Sequence, residues 1–275
     1  MLSIYDLDAV DAWARRHRIP PPSVRQLRAD FLKHARPVEE CLARLASVSR
    51  PAVSEALTFH TLTLAERHDS TRDGASKLVF RTADGLRLET VVLRIASGRT
   101  SVCISSQVGC AAGCVFCATG RLGLARNLTA AEILDQVVLA QRLVQPEHRR
   151  IRNVVFMGMG EPLHNEKAVY QALDVLRDPR GLHLSERHLL VSTVGMARAM
   201  AQFVEHYPRI RLALSLHSAR QEVRKELMPA GKSQRLDKLR ELLPVLCCHG
   251  NFMVEYVLLK GVNDGPEDLA ALLDW

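Results

Sequence analysis

The chain contains no apolar run of about 18 residues, the length that marks a membrane-spanning helix. Its first six residues carry no basic segment that leads into an apolar stretch, so no secretory signal is predicted. Aromatic residues are scarce: four tyrosines and two tryptophans provide no evident stacking surface for single-stranded nucleic acid. We therefore predict a globular, cytoplasmic protein without a membrane partner.

The cysteine content and the charge narrow the class of protein further. Seven cysteines, an odd number, fit a reducing compartment and metal chemistry better than the disulfide framework of a secreted protein. The net charge of +7 favours a polyanionic partner such as RNA, although similar basicity occurs in proteins that never bind nucleic acid. The 47% of hydrophobic residues can form a sizeable core.

The pattern of apolar residues predicts three regions. Residues 1–60 form a helical accessory domain, with amphipathic helices over 6–16, 23–34 and 37–46. Residues 61–99 form a linker region with a β-hairpin that turns at Asp84 and Gly85. Residues 100–275 alternate strands and helices, which is typical of βα units around a parallel sheet. The predicted fold class is α/β, a closed or partial barrel with strands over 101–105, 153–157, 188–192, 209–216 and 252–259.

Cys110, Cys114 and Cys117 are the strongest candidates for chemistry. Their spacing suits a loop that directs three thiolates at an iron-sulfur cluster or zinc, and makes a poor disulfide pair. Three ligands leave one coordination position open, and no second CxxC or HxxxH pair lies at a convincing distance. A zinc site, or cysteines that only pack in a core, remain alternatives at this point.

Short polar and glycine-rich segments follow the predicted barrel strands. They contain Gly160 and Glu161 after the second strand, Ser192 near the end of the third, and Ser215 to His217 after the fourth. Glycine lets the backbone approach a ligand, and a carboxylate accepts hydrogen bonds from an amino group. Each segment alone is more typical of a turn or a loop. Together, at the strand ends that face ligands in such barrels, they predict a binding site.

The ordered set CISSQVGC, CxxxCxxC, ATGRLGLARNL, GMGEP, STVG and SLH resembles one radical S-adenosylmethionine (SAM) family. That family, the dual-specificity RNA methyltransferases, methylates C2 of an adenine in large-subunit ribosomal RNA and in certain tRNAs. The resemblance runs from about Glu89 to Trp275. It implies a partial radical SAM barrel in which Cys110, Cys114 and Cys117 hold a [4Fe-4S] cluster and SAM occupies the open iron.

The resemblance also implies roles for residues outside the cysteine trio. Glu89 matches the general base and Cys103 one of two catalytic cysteines, although an inert core cysteine is the alternative for Cys103. In the family, a second cysteine near the C-terminus carries the methyl group, and Cys103 releases the product through an enzyme disulfide. The expected partners are rRNA and tRNA and an electron donor such as flavodoxin with its reductase, and a monomer is expected. The residues implied to contact SAM are Gly160, Glu161, Ser192, Ser215, Leu216 and His217.

The sequence departs from the family at its C-terminal end. Family members continue beyond the position of Trp275 with a strand, an asparagine that contacts SAM and the methyl-bearing cysteine, which neither Cys247 nor Cys248 matches. We therefore expect a fragment or truncated product that binds the cluster and SAM without transferring a methyl group. Two alternatives stay open: a relative that methylates C8 of the adenine, and a degenerate RNA-binding protein that retains the cluster.

Overall fold

The computed structural model describes residues 1–229, 234–248 and 251–275, which fall into two compact units. The first unit comprises Met1–Ile104, Leu128–Val154 and Lys167–Ser185. The second comprises the described residues of Ser105–Asn127, Val155–Glu166 and Glu186–Trp275. The division into three domains at residues 60 and 99 stays a prediction.

Short helices form the N-terminal part of the first unit, as the sequence predicts. Asp6 caps the first helix by accepting a hydrogen bond from the backbone N–H of Ala9 at 3.0 Å. Prolines at positions 20–22 separate the first two helices, and the second continues into a π-helical turn over Ala29–Lys33. The fourth helix was not predicted. The helices are α1 (Leu7–Arg16), α2 (Pro21–Arg28), α3 (Val38–Ala43) and α4 (Arg50–Ala56).

A short parallel pair and an antiparallel sheet follow. The pair joins β1 (Leu2–Ser3) and β2 (Leu57–Thr58). The predicted hairpin is present, and Gly85 adopts a φ of +82° at its turn. The sequence missed the first strand of this sheet, and the strand predicted to open the parallel barrel pairs antiparallel with the strand before it. The strands are β3 (Leu62–Asp69), β4 (Ser76–Thr82), β5 (Arg87–Arg94) and β6 (Thr100–Cys103).

Helix α6 (Ala130–Val144) covers the antiparallel sheet from within the same unit. It begins at the predicted capping box, in which Thr129 and Glu132 satisfy each other's backbone N–H groups. Asp135 on this helix is fully buried and accepts hydrogen bonds from Tyr5 Oη at 2.8 Å, His60 Nδ1 at 2.7 Å and the backbone N–H groups of Thr61 and Leu62. One carboxylate thus joins the N-terminal strand, the start of β3 and α6.

The second unit contains a β-ribbon and a parallel sheet. The ribbon joins β7 (Gln107–Gly109) and β8 (Leu124–Asn127), and brackets the cysteine segment. In the parallel sheet, β11 lies between β10 and β12, with Leu212 beside both Val191 and Phe252. The predicted α/β class is confirmed. The parallel strands are β10 (Leu189–Thr193), β11 (Arg211–Ser215) and β12 (Phe252–Glu255).

The remaining elements complete the alternation of strands and helices. Strand β9 (Ile151–Phe156) neighbours β6 in the sheet order. The helix predicted over 233–248 begins at Leu236 and continues through Pro244, while position 233 lies outside the described residues. Helices α7 and α9 were not predicted. The helices are α5 (Ala118–Leu122), α7 (Glu166–Arg177), α8 (Ala197–His206), α9 (Gln221–Leu227), α10 (Leu236–Cys247) and α11 (Pro266–Asp274).

Strand β12 ends the strand order of the parallel sheet in the described chain. Apolar side chains on and after this strand are exposed, among them Met253 at 40% and Leu258 at 74%. In helix α11, Leu273 is 80% exposed. Among the described residues, no helix is both long enough and apolar enough to span a membrane.

We expect Asp135→Ala to lower the free energy of unfolding by about 3–5 kcal/mol, because several buried donors would lose their acceptor at once. Urea denaturation measures this change. Asp8→Ala is the control, since the Asp8 side chain is 88% exposed and its ion pair with Arg180 contributes at most about 1 kcal/mol. A loss below about 1 kcal/mol for Asp135→Ala would show that the donors find other partners.

Candidate functional site

The three predicted cysteine ligands lie on one loop of the second unit, between β7 and α5. The loop is closed at its base by the backbone N–H of Cys110, which donates to the carbonyl of Gly123 at 2.8 Å. Cys117 precedes α5 and donates its backbone N–H to the carbonyl of Cys114 at 3.1 Å. A Cβ atom on Gly120 would lie 2.9 Å from the backbone of Cys114, so glycine permits this tight path.

The cysteine side chains share one apolar cluster. Cys110 and Cys114 are buried there with Leu227 and Met228, and Cys117 packs against them. Burial raises the pKa of the Cys110 thiol, and burial together with the nearby Cys110 and Cys117 raises the pKa of Cys114 to about 11. These thiols are therefore protonated at neutral pH without a metal, and ligand binding must release protons.

Glu161 connects the loops that follow β9 and β10. Its side chain is buried, and its two carboxylate oxygens accept hydrogen bonds from the backbone N–H groups of Leu163 at 3.0 Å and Val194 at 2.8 Å. Its own backbone N–H donates to Gln107 Oε1 at 2.8 Å. Burial raises the pKa of the Glu161 carboxyl, and the hydrogen bonds oppose this shift. Each oxygen retains a lone pair for a further donor.

Gly160 allows this loop to pass directly over Gln107. Its φ is +104°, and an added Cβ would lie 2.6 Å from Cβ and 2.8 Å from the backbone nitrogen of Gln107. The contact involves backbone atoms that cannot move aside easily. Gly160 is thus required both by its conformation and by the close approach of two segments.

Polar side chains meet at the carboxyl ends of β10, β11 and β12. Ser192 Oγ donates to Glu255 Oε2 at 2.8 Å and lies 3.3 Å from Ser215 Oγ. Ser215 pairs directly with Glu255 in the sheet register. The two serines were predicted, whereas Glu255 was not, because the strand was predicted to extend to residue 259 and Glu255 therefore seemed internal to it.

His217 links these strand ends to the cysteine loop. Its ring packs edge-on against Phe116, with 4.9 Å between the centroids. Its Nδ1 accepts a hydrogen bond from the backbone N–H of Val257 at 3.1 Å, and its φ is +56°. Burial and the charge of Arg224 lower the pKa of His217 to about 4, so the imidazole is neutral at physiological pH. The buried Asn263, which was also missed, donates to the His217 carbonyl at 2.6 Å.

The predicted catalytic pair lies in the first unit. Glu89 on β5 accepts a hydrogen bond from Lys77 Nζ at 3.0 Å, and both side chains are nearly half exposed. Cys103 on β6 is directly opposite Val91 in the antiparallel register. Since alternate residues of a strand share a face, Glu89, Val91 and Cys103 face the same side of the sheet. The structure therefore places the pair diagonally across two neighbouring strands.

The chain is similar to known proteins over most of its length. Residues 104–274 match the model of the Radical SAM superfamily. A probable RNA methyltransferase of Rhodopirellula baltica is 44% identical over 274 residues, covering 99% of this chain and 71% of the relative. A probable dual-specificity RNA methyltransferase RlmN of Aquifex aeolicus is 41% identical over 237 residues, covering 85% and 67%. The chain belongs to the radical SAM RNA methyltransferase family.

A solved structure supports the assignment to radical SAM RNA methyltransferases. The crystal structure of a radical SAM methyltransferase from Sphaerobacter thermophilus superposes with a TM-score of 0.93 at 32% identity, covering 100% of this chain and 81% of that one. The chain spans 56% of the RlmN relative from Symbiobacterium thermophilum, which is 44% identical over 212 residues, or 75% of this chain. These relatives are thus longer than this chain.

Radical SAM family members use a [4Fe-4S] cluster and SAM, and the cysteine loop suits an anionic cluster. Beside it, Arg224 is fully buried and its Nη1 has no hydrogen-bond partner, which leaves a buried positive charge directed at no protein acceptor. Among the described residues, no three His, Cys, Asp or Glu side chains are close enough to hold a single metal ion. In a four-iron cluster each thiolate binds a different iron. The described cysteines form no disulfide.

We expect Gly160→Ala to lower the free energy of unfolding by about 2–6 kcal/mol, because the change combines backbone strain with a clash against Gln107. The control is Gly74→Ala, which has a φ of +67° with no atom within 4 Å and costs only the strain. Chemical denaturation of both variants isolates the clash as their difference. Equal losses would contradict the close approach.

We expect the stability that His217 confers on the metal-free protein to fall between about pH 7 and pH 4. The unfolded imidazole takes up a proton near pH 6.5, whereas the folded one does so only near 4. Acidification therefore favours unfolding by up to about 3 kcal/mol. His217→Asn, which tolerates the same backbone conformation, removes this dependence. Parallel stability curves for the two proteins across this range would refute the assignment.

Proposed function

We propose that this chain holds a [4Fe-4S] cluster through Cys110, Cys114 and Cys117 and binds SAM beside it. The proposed reaction is methylation of C2 of an adenine in large-subunit rRNA and in certain tRNAs. The observation that carries this proposal is the packing of His217 against Phe116. This contact joins the cysteine loop to the polar strand ends, so that one end of the second unit offers both sets of ligands.

The substrate atom explains why an ordinary methyltransferase would fail. The C2 hydrogen of adenine is not acidic and its carbon is not nucleophilic, so a direct attack on the SAM methyl group is ruled out. The cluster and SAM together supply one-electron chemistry when they are bound. The protein residues then have the tasks of binding, orientation and proton transfer.

The strand-end residues divide the recognition of SAM. Glu161 accepts hydrogen bonds from the SAM amino group with the lone pairs that Leu163 and Val194 leave available, and the Gly160 backbone approaches the same group. Ser192 contacts SAM from the end of β10. Ser215, Leu216 and His217 line its other side, and the neutral state of His217 avoids repulsion with the sulfonium charge.

The first unit contributes the residues proposed to act on the base. Glu89 removes the C2 proton, and the hydrogen bond from Lys77 Nζ orients its carboxylate. Cys103 releases the methylated adenine by attacking the sulfur of the methyl-bearing cysteine, which forms a disulfide. Their shared sheet face supports action on one substrate.

The partners follow from the same chemistry. The net charge of +7 supports binding of an RNA polyanion. A one-electron donor such as flavodoxin with its reductase is required, since the protein residues supply no electron. We propose a monomer that works in the cytoplasm.

We expect Cys114→Ala to abolish the cluster absorbance after anaerobic reconstitution with iron and sulfide, and to lower 5′-deoxyadenosine formation from SAM about a hundredfold or more. The reason is that a cluster held by two thiolates is not retained. Absorbance spectra and chromatography of the products measure both effects. Cys247→Ala, which changes an exposed cysteine outside the loop, is the matched control and retains both.

A second variant separates cluster binding from methyl transfer. Cys103→Ala should keep the cluster and SAM cleavage, since Cys103 is not a proposed ligand. Any methylated adenine formed on ribosomal RNA should disappear in this variant. Retention of the cluster by Cys114→Ala would overturn the ligand assignment, and RNA binding by a wild-type protein that never cleaves SAM would favour a binding role instead.

A further inference from the structure

Arg224 on α9 is a buried cation that the proposed roles do not use. Its side chain is fully buried, and its Nε donates to the carbonyl of Leu216 at 3.0 Å. Its Nη2 donates to the carbonyls of Val194 at 2.6 Å and Ser215 at 3.3 Å, whereas Nη1 is buried without a partner. Within the part of the chain that the structure describes, the hydrogen-bond partners of this guanidinium are backbone carbonyls and not carboxylates.

A buried charge of this kind is costly unless an opposite charge compensates it. Carbonyl dipoles offset only part of the several kcal/mol that desolvation of an ion costs. Burial lowers the pKa of Arg224 to about 10, which still leaves the guanidinium protonated at neutral pH. Cys114 is the side chain whose negative charge opposes that shift. The unmet charge and the unmet Nη1 donor therefore both call for an anion near the cysteine loop.

Helix α9 places Arg224 against this loop. Leu227, three residues further along the helix, is buried with Cys110 and Cys114, and Val223 packs against the same cluster. The Leu227 carbonyl accepts a hydrogen bond from the backbone N–H of Val115 at 3.0 Å. The position of the guanidinium relative to the loop is thus fixed by backbone contacts on both sides.

We propose that Arg224 is a positioning residue whose buried positive charge compensates the thiolate-ligated cluster and favours its reduced state. The inference rests on the proposed cluster site. A [4Fe-4S] cluster with three thiolates carries a net negative charge, and uptake of one electron from an external donor, such as dithionite or a reduced flavoprotein, adds another. A nearby cation stabilises the reduced form more than the oxidised form, and low local dielectric strengthens this effect.

Arg220, at the N-terminal end of the same helix, is the natural contrast. Its guanidinium is 41% exposed and pairs with Glu267 and Asp268 at 3.3 and 3.4 Å. Its charge is therefore already compensated and screened by water. Loss of this charge should leave the cluster unaffected.

The test is a redox titration of the reconstituted protein without SAM, followed by the electron paramagnetic resonance signal of the reduced cluster. The variants are Arg224→Lys, Arg224→Gln and Arg224→Met, with Arg220→Gln as the control. We expect the two neutral Arg224 variants to show a ratio of reduced to oxidised cluster about tenfold lower at a fixed potential, which is about 59 mV for a one-electron couple. Arg224→Lys and Arg220→Gln should match the wild type.

Several results would overturn the proposal. An unchanged potential in either neutral variant, with an intact cluster and with SAM cleavage by the wild type, would refute it while leaving the proposed function in place. A shift that appears only after SAM is added would assign Arg224 to SAM. Failure of the wild type to hold any cluster would instead refute the proposed function and this inference with it.

A thermal unfolding measurement covers variants that do not hold a cluster. If the metal-free neutral variants unfold at ambient temperature whereas the metal-free wild type is folded, Arg224 serves only to tie the loops together and the proposal fails. If the metal-free variants are as stable as the wild type and lose stability relative to it only after reconstitution, the charge is coupled to the cluster. That second result supports the proposal independently of the potential.

Discussion

The buried carboxylate of Glu161 is the contact on which the geometry of the second unit depends. Its oxygens bind the backbone of its own loop and the backbone of Val194, and its N–H binds Gln107. Three segments that are far apart in sequence are thereby held at one place. Because Gly160 removes the side chain that would block Gln107, this contact can form without displacing the backbone.

Charge inside the second unit is arranged around backbone groups. Glu161 is satisfied by N–H donors, and Arg224 by carbonyls of the loops after β10 and β11. His217 remains neutral because a buried imidazolium next to Arg224 would be repelled. The polypeptide thus fixes the strand-end loops with ionised side chains, and the cysteine loop packs against α9 through apolar contacts.

Much of the fold followed from local patterns. The capping box of α6, the turn at Gly85 and the apolar runs of β10 and β11 depend on residues close in sequence, and each prediction was confirmed to within a few residues. Strand β3 and helices α7 and α9 escaped. Strand β3 exposes most of its side chains in the sheet, so its sequence has little of the alternation by which strands are recognised.

The sequence by itself determined the class of chemistry. The spacing of Cys110, Cys114 and Cys117 with the glycine-rich and serine-containing strand ends identifies a radical SAM protein, because each motif is local and its residue types are dictated by its ligand. Only the tertiary structure decided the surroundings of that chemistry. Glu255 meets Ser192, and Arg224 reaches the Val194 carbonyl, through contacts between residues that are 63 and 30 positions apart. Such partners carry no local motif, since burial and register, which bring them together, are properties of the packed chain.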